Sequence, residues 1–498
     1  MQNYIKINRA DNVCVALSDL KSGQSVVVDG NKVILTDDIE RGHKFALTDF
    51  KTDDAIIKYG FPIGYAKENI QCGSHVHTHN IKTGLSDNII YSYNPSESAG
   101  FSCNIKEDKK FFMGYERSDG KVGVRNEIWI VPTVGCVNSI ATAIAKECKE
   151  YECENIDAIV AFNHPYGCSQ MGDDQENTRQ ALAGIINHPN AGGVLVLGLG
   201  CENSNIEVLK QYIGKYDDKR VMFLQCQDEA DEIEAGTEIV KKLVENAKKV
   251  SRTKASIDRL IIGMKCGGSD GLSGISANPL VGRFSDMLTN NGGSTILTEV
   301  PEMFGAETIL MDRCVNFKVF EKTVHLINDF KDYFRRHNQT IYENPSPGNK
   351  KGGISTLEDK ALGCTQKSGA SKVMDVLPYA KELTVKGLNL LCAPGNDLVA
   401  STALAISGAQ IVLFTTGRGT PFACAVPTVK IASNSQLASK KSNWIDFDAG
   451  RLLADGMNMD ILSEEFFDFV IDVANGKRVK SEEDGYRDLA IFKQGVTL

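Results

Sequence analysis

Short apolar runs alternate with amphipathic stretches through the middle of the chain. The apolar runs cover residues 127–134, 157–162, 193–199 and 221–224, and each is followed by a segment with helical spacing. In the first of these segments, 139–151, the residues Ile140, Ile144 and Cys148 share one face. Four successive strand–helix alternations predict a parallel sheet with right-handed crossovers, with a mixed sheet as the alternative.

The pattern differs on either side of this region. Residues 26–35 indicate two short strands around Asp29-Gly30, a pair suited to the positive φ of a hairpin turn. The long stretch 338–372 is weakly periodic, and loops of this length tend to be functional or disordered. We predict an α/β protein with a small β-rich domain (1–92), a linker (93–110), a parallel-sheet α/β domain (111–250) and a second, larger α/β domain (251–498).

Composition and charge narrow the class of protein. A length of 498 residues fits about three domains. The net charge of -9 argues against a nucleic-acid partner, because phosphate binding requires a basic field. No apolar run approaches the ~18 residues of a membrane span, and the first residues lack the apolar core of a signal peptide. We therefore expect a cytoplasmic protein with no membrane partner, whose 14 cysteines are reduced. A homo-oligomer stays open.

Three histidines lie close together near the end of the β-rich part. In an extended segment His75, His77 and His79 fall on one face. Imidazoles in this arrangement are candidates for binding a transition metal or for acid–base chemistry. The alternative is a polar strand edge with solvated histidines.

Three Gly-Cys pairs follow predicted strands of the middle domain. Cys136, Cys168 and Cys201 each lie at or just beyond the carboxyl end of a strand, where open parallel sheets bind ligands. Converging thiolates suit iron, zinc or an iron–sulfur cluster. The alternative is that each cysteine is a small buried hydrophobic residue.

Two glycine-rich loops are candidates for binding an anion. Residues 265–274 lie between a predicted strand and a helix that starts near Asn278, so backbone N–H groups can face a carboxylate. In the second loop, 415–421, Arg418 can form a bidentate pair with a carboxylate, or be an exposed residue of a tight turn. Glu302 follows a strand and could be an oxygen ligand, a general base or a favourable residue at a helix start.

A series of ordered motifs runs along nearly the whole chain. They cover residues 10–13, 42–47, 60–65, 120–126, 132–138, 166–170, 198–202, 266–271, 298–302, 343–349, 362–367, 394–397 and 416–421. In this order they resemble the altronate/galactarate dehydratase family. The first three motifs, with His75-Val76-His77 after them, resemble an SAF domain, the small β-rich module that the family carries at its amino terminus.

The resemblance implies removal of water from D-altronate, which gives 2-dehydro-3-deoxy-D-gluconate in hexuronate catabolism. It implies Fe(II), with Mn(II) as a substitute. A [4Fe–4S] cluster with an open iron site is the alternative to mononuclear iron. A base must take the C2 proton, and an acid or metal must help the C3 hydroxyl to leave. The alternatives are a galactarate dehydratase or related sulfo-sugar-acid lyase and, less favoured, a non-catalytic carbohydrate-binding protein. The expected partner is a small-molecule sugar acid.

The candidate site residues follow from both lines of reasoning. The catalytic candidates are His75, His77, Lys121, Arg125, Glu302 and Arg418, in which Lys121, Arg125 and Arg418 are carboxylate binders. The substrate-binding candidates are Gly267, Gly268, Ser269, Asp270 and Asn396. The metal-ligand candidates are His75, His77, Cys136, Cys168, Cys201 and Cys266.

Overall fold

The computed structural model describes residues 3–85, 90–96, 105–341, 343–454 and 456–495. In these ranges no helix combines the length and the apolar character needed to cross a membrane. Part of the predicted linker lies outside the described residues.

The amino-terminal part consists of short antiparallel strands. Their bounds are β1 (Tyr4–Ile5), β2 (Val13–Ala16), β3 (Ser25–Val28), β4 (Asn31–Ile34), β5 (Lys44–Ala46), β6 (Ala55–Lys58), β7 (Phe61–Ala66), β8 (His75–Val76) and β9 (Ile81–Lys82). One sheet has the order β1-β2-β5-β8, a second has the order β6-β7-β9, and β3 pairs with β4. The predicted hairpin is confirmed: Asp29 and Gly30 connect β3 to β4 with φ of 50° and 81°.

The middle part contains the predicted parallel sheet. Its strands are β12 (Glu127–Pro132), β13 (Ile159–Ala161), β14 (Ala191–Gly198) and β15 (Val221–Gln225), in the order β13-β12-β14-β15. Its helices are α1 (Asn138–Glu147), α2 (Gly172–Ile186), α3 (Ile206–Ile213) and α4 (Glu232–Ala247). All neighbours in this sheet are parallel, so the mixed-sheet alternative is wrong for these four strands.

A small antiparallel sheet connects the middle part to the last one. It has the order β11-β10-β16, with β10 (Phe111–Glu116), β11 (Val122–Gly123) and β16 (Thr253–Ser256).

The last part has a seven-stranded parallel sheet in the order β19-β20-β18-β17-β21-β22-β23. The strands are β17 (Ile261–Cys266), β18 (Ser294–Leu297), β19 (Val373–Leu377), β20 (Gly387–Leu391), β21 (Ile411–Thr416), β22 (Thr428–Ala432) and β23 (Phe447–Asp448). The helices are α5 (Ala277–Asn290), α6 (Glu307–Met311), α7 (Phe317–Arg336), α8 (Pro347–Lys351), α9 (Leu357–Thr365), α10 (Asp397–Ile406), α11 (Ser435–Lys440), α12 (Met459–Ala474) and α13 (Lys480–Glu483).

Hydrophobic contacts join the three parts. One core cluster combines Trp129 of the middle sheet with Phe414 of the last sheet. Another combines Val13 of the amino-terminal part with Leu272 and Leu362 of the last part. Since burying an aliphatic side chain stabilises by about 1.5–3 kcal/mol, the amino-terminal part is held by a shared core. This contact places its histidines against the larger α/β domain.

Candidate active site between the amino-terminal and the larger α/β domain

Three histidines meet where the amino-terminal sheet contacts the larger domain. β8 pairs with β5 so that His75 lies opposite Phe45, which brings it beside His43, the residue before β5. His43 Nδ1 and His75 Nε2 are 3.0 Å apart, and the His43 and His77 ring centroids are 4.9 Å apart. One ring nitrogen from each of the three lies within 4.8 Å of the others. His79 does not belong to this group and is exposed.

The imidazoles of the histidine cluster are in the form that binds metals. Burial lowers the pKa of His75 to about 4 and of His77 to about 3, and the neighbouring His43 and Lys44 add to the effect. The imidazoles are therefore neutral at physiological pH, the form that ligates metals. His77 Nδ1 is buried and has no hydrogen-bond partner among the described residues. Three neutral nitrogens with one orphaned atom fit a divalent transition metal.

A buried ion cluster fixes the histidines to the larger domain. Asp359 of α9 accepts from Lys44 Nζ at 2.9 Å and from Lys58 Nζ at 3.0 Å, and all three side chains are at most 1% exposed. Burial opposes the ionisation of Asp359, but the two ammonium groups outweigh it and hold the carboxyl pKa well below its usual range. The single carboxylate of Asp359 is shared by two ammonium groups. Burial lowers the pKa of Lys44 to about 8. Burial also opposes the charge on Lys58, but Asp359 outweighs it and raises the Lys58 pKa above its usual value.

A second buried cluster also includes residues of α9. Cys266, the last residue of β17, donates its thiol to Glu302 Oε2 at 2.9 Å, and its sulfur is 3.4 Å from that of Cys364. Lys360 Nζ contacts Glu302 Oε1 at 2.8 Å. Burial works against the Glu302 carboxylate, but Lys360 and Lys367 outweigh it and lower the Glu302 pKa to about 2.

Cys266, Glu302 and Cys364 also place ligand atoms within 4.8 Å of one another. The hydrogen bond from the Cys364 thiol is the main reason that the pKa of Cys266 falls to about 7. The ammonium groups of Lys360 and Lys367 already neutralise this set, so the histidine cluster is the better metal site. Cys266 and Glu302, both predicted from sequence, belong here.

This charge network reaches the surface through β17. Lys265 Nζ lies 3.0 Å from Glu299 Oε1 and 2.7 Å from Asp397 Oδ1. The Asp397 side chain is 35% exposed. Burial and the nearby Glu302 raise the Glu299 pKa well above its usual value, although Lys265 opposes this shift. Asn396, a predicted substrate-binding residue, uses its amide oxygen to cap α10 through Leu398 N and Val399 N.

The predicted glycine-rich loop packs against the histidine cluster. A Cβ on Gly271 would lie 2.0 Å from the carbonyl oxygen of Gly42, the residue before His43. Asp270 is fixed as an acceptor for Ser433 Oγ at 2.8 Å and Asn434 Nδ2 at 3.1 Å. The Asp270 carboxylate therefore anchors the loop. These contacts account for the acidic residue at this position without a contact to substrate.

Arg418 is exposed beside this loop. A Cβ built on Gly268 would lie 3.5 Å from Arg418 Cβ, and one on Gly348 would lie 3.8 Å from Arg418 Cδ. The predicted residues Gly267, Gly268 and Ser269 thus lie with Arg418 on the same side of the larger domain. An exposed guanidinium beside a glycine-rich loop remains available to a carboxylate.

Two predicted carboxylate binders lie elsewhere. Arg125 is 1% exposed and forms a two-pronged ion pair with Glu482, with 2.8 Å to each carboxylate oxygen. Lys121 pairs with Glu382 at 2.6 Å beside a cavity of about 520 Å³ between the middle and last domains. The role predicted for Arg125 is wrong, because all its donors face protein acceptors. Lys121 is separate from the histidine cluster.

The predicted metal ligands are divided among three places. His75 and His77 lie in the histidine cluster, and Cys266 lies in the buried cluster beside α9. Cys136, Cys168 and Cys201 are exposed in the middle domain. Cys266, predicted as a further metal ligand, does not lie with these three thiols.

Sequence reasoning missed His43, Lys44, Lys58, Asp359 and Lys360. A lone histidine and scattered lysines carry no spacing signal. The segment Leu357–Thr365 contains three charged residues and all of its residues are buried in the structure, but this burial leaves no pattern in the sequence. Charged residues are rarely buried unless they are paired.

Three family models cover most of the chain. They are "Altronate/galactarate dehydratase SAF domain" over residues 2–84, "D-galactarate dehydratase/Altronate hydrolase, second domain" over 114–248 and "D-galactarate/Altronate dehydratase, C-terminal" over 257–497.

Curated relatives match over almost their whole length. The chain is 54% identical to the altronate dehydratase of Bacillus subtilis, covering 100% of both chains. It is 54% identical to that of Escherichia coli, covering 99% of this chain and 100% of the relative. With the L-threo-forming galactarate dehydratase of Escherichia coli the identity is 32%, over 98% of this chain and 96% of the relative.

Proposed function

The chain belongs to the altronate/galactarate dehydratase family, and from this we propose that it removes water from D-altronate to give 2-dehydro-3-deoxy-D-gluconate. The observation that carries the choice of substrate is the identity of 54% to two altronate dehydratases, against 32% to a galactarate dehydratase. The reaction is that of a carbon–oxygen hydro-lyase in hexuronate catabolism. Galactarate is the second candidate substrate.

We propose that His43, His75 and His77 hold a divalent iron or manganese ion. Support comes from their neutral state and from the orphaned Nδ1 of His77. Such an ion supplies Lewis-acid stabilisation of the charge that develops on the substrate carboxylate and hydroxyl oxygens. The contact of His43 Nε2 with the Lys351 carbonyl oxygen at 3.2 Å turns His43 Nδ1 towards the other two rings.

The substrate carboxylate also needs a fixed partner in the protein. Arg418, exposed beside Gly268, supplies a charged donor for it, whereas the N–H groups of Gly267 and Gly271 already donate to the carbonyl oxygens of Thr415 and Gly352. In this proposal the guanidinium orients the sugar acid so that its C2 and C3 face the histidine cluster. A carboxylate held by a guanidinium also makes the C2 proton more acidic, since charge gained at C2 is shared with the carboxylate.

Lys44 is the candidate that takes the C2 proton. It lies next to the histidine cluster, and burial lowers its pKa to about 8, near the value that suits a general base at physiological pH. Asp359 holds the Nζ atom in place and stabilises the protonated form after the transfer.

The activity belongs to a reducing compartment, and we place it in the cytoplasm. All thirteen cysteines of the described ranges are unpaired, including Cys266 and Cys364, whose sulfurs are 3.4 Å apart. Thiols this close would be at risk of oxidation elsewhere.

The test is anaerobic turnover with added Fe(II), comparing D-altronate with galactarate and following the 2-keto-3-deoxy acid. Iron-dependent product from altronate is the expected result. Product from galactarate alone would overturn the substrate, and no product from either would overturn the proposed reaction.

A further inference from the structure

The middle domain presents three thiols at one edge of its parallel sheet. Cys136 follows β12, Cys168 follows β13 and Cys201 follows β14, and these are neighbouring strands with β12 in the centre. All three side chains are exposed. Free cysteine is among the most buried residue types, so three exposed thiols on adjacent strand ends require an explanation.

Hydrogen bonds tie the three loops together. Gly135 N donates to the Tyr166 carbonyl oxygen at 2.9 Å, which joins the loops of Cys136 and Cys168. A Cβ on Gly167 would lie 2.1 Å from the Thr133 carbonyl oxygen, so the Cys168 loop lies directly on the end of β12. Glu202 accepts from Thr133 Oγ1 and from Gly200 N, which fixes the Cys201 loop to the same strand.

Each of the three thiols lies on the amino-terminal side of a helix. Their loops connect the ends of the strands to α1, α2 and α3. The amino termini of these helices carry partial positive charge, which favours a bound group of net negative charge. Gln227 Nε2 donates to Cys201 Sγ at 3.7 Å.

The distance between the sulfurs of Cys136, Cys168 and Cys201 decides between a single metal ion and a metal cluster. A single tetrahedral ion with bonds of about 2.3 Å needs thiolates about 3.8 Å apart. Two sets of three ligand atoms within 4.8 Å occur in the described ranges, and neither contains these thiols. A cluster places an iron atom beneath each thiolate and therefore needs wider spacing.

We propose that Cys136, Cys168 and Cys201 bind a [4Fe–4S] cluster, with one iron that has no cysteine ligand. The fourth strand of the sheet, β15, also ends at a cysteine, Cys226, but this side chain is buried in the hydrophobic core of the domain. The site is separate from the histidine cluster, and the proposal does not depend on the proposed reaction.

The test is anaerobic reconstitution of the full chain with Fe(II) and sulfide, followed by assay of iron, acid-labile sulfide and visible absorption. Sulfide is the deciding readout, because an ion bound by histidines carries none. We expect about four iron and four sulfide per chain above the content of the triple variant C136S/C168S/C201S. Each single variant should lose most of the sulfide.

Cys153→Ser is the matched control, since Cys153 is also exposed but precedes β13 at the opposite edge of the sheet. It should keep the parent content of iron and sulfide. Equal sulfide in the parent and the triple variant would overturn the proposal, and so would iron or zinc bound at these cysteines without sulfide. The four substitutions are at the surface, so circular dichroism should show unchanged folding.

Discussion

Replacing Asp359 with asparagine should loosen the amino-terminal domain from the rest of the protein. The substitution keeps the size of the side chain but removes the carboxylate that contacts the Lys44 and Lys58 ammonium groups, and no other described residue offers them a negative charge. Removing one partner of a buried ion pair costs about 3–5 kcal/mol, because the other charge stays buried without compensation. At 1.36 kcal/mol per factor of ten, the population of the undocked state should rise by about 2.2 to 3.7 powers of ten.

Native-state hydrogen exchange measures this opening directly. The backbone amides of β2 and β5 are buried, so their exchange reports the free energy of opening of the amino-terminal domain. Tryptophan fluorescence would not serve, because both tryptophans, Trp129 and Trp444, lie outside this domain. The expected result is a loss of about 3–5 kcal/mol of protection in these strands.

The control variant is Asp38→Asn in the same domain. Asp38 pairs with Lys21 at 2.7 Å, but the two side chains are 59% and 75% exposed. Exposed pairs contribute about 0–1 kcal/mol. A loss below about 1 kcal/mol in Asp359→Asn, or one equal to that of the control, would refute the reasoning.

Low pH provides a second test of the contribution of Asp359 to stability. The pKa of Asp359 is lower in the folded protein than the value of about 3.9 in an unfolded chain. Its contribution is therefore complete above about pH 5 and is lost progressively as the pH falls below about 4. Protection of β2 and β5 should fall over this range in the parent protein, and this part of the pH dependence should be absent from Asp359→Asn.

Three further predictions concern the site. Each of His43→Ala, His75→Ala and His77→Ala should weaken Fe(II) binding at least about tenfold in a metal titration, whereas His79→Ala should not; unchanged affinity in the first three would contradict the metal site. Lys44→Arg keeps the charge and the pairing with Asp359, but the guanidinium cannot lose its proton near neutral pH, so kcat should fall about 100-fold or more. The control Lys58→Arg should keep the kcat of the parent protein. Equal kcat values in the two variants would show that Lys44 is not the base. Arg418→Lys should raise KM about 10- to 150-fold, which is the equivalent of losing about 1.5–3 kcal/mol of charged hydrogen bonding. Arg125→Lys should leave the KM of the folded protein unchanged. A larger rise in KM for Arg125→Lys than for Arg418→Lys would restore Arg125 as the carboxylate binder.

The parts of the fold with regular spacing were predictable from the sequence. Continuous apolar runs at 127–134 and 193–199 indicate strands that are buried on both faces, and the structure has β12 and β14 there. The stretch 338–372 had no clear period, yet it contains α8 and α9. Every residue of α9 is buried, so it has no polar face and no amphipathic pattern to detect.

The site was predictable where its residues are neighbours in the chain. His75 and His77 form a local pattern, but His43 joins them through pairing of β5 with β8. Asp359 joins Lys44 across 315 positions. Spacing along the sequence reports contacts within one element, and contacts between distant elements depend on packing. Arg125 shows the converse, since its sequence context suits an anion binder while its contacts are structural.

The separation of 315 positions between Lys44 and Asp359 also has a consequence during synthesis on the ribosome. At about 5–20 residues per second, the amino-terminal segment waits about 15–60 s before its counter-charge has been made. During this interval Lys44 and Lys58 have no carboxylate from α9, and Val13 and its neighbours lack the apolar surface of Leu362. Completion of the amino-terminal domain is thus delayed until most of the chain has been translated, and the histidine cluster becomes enclosed only at that late stage.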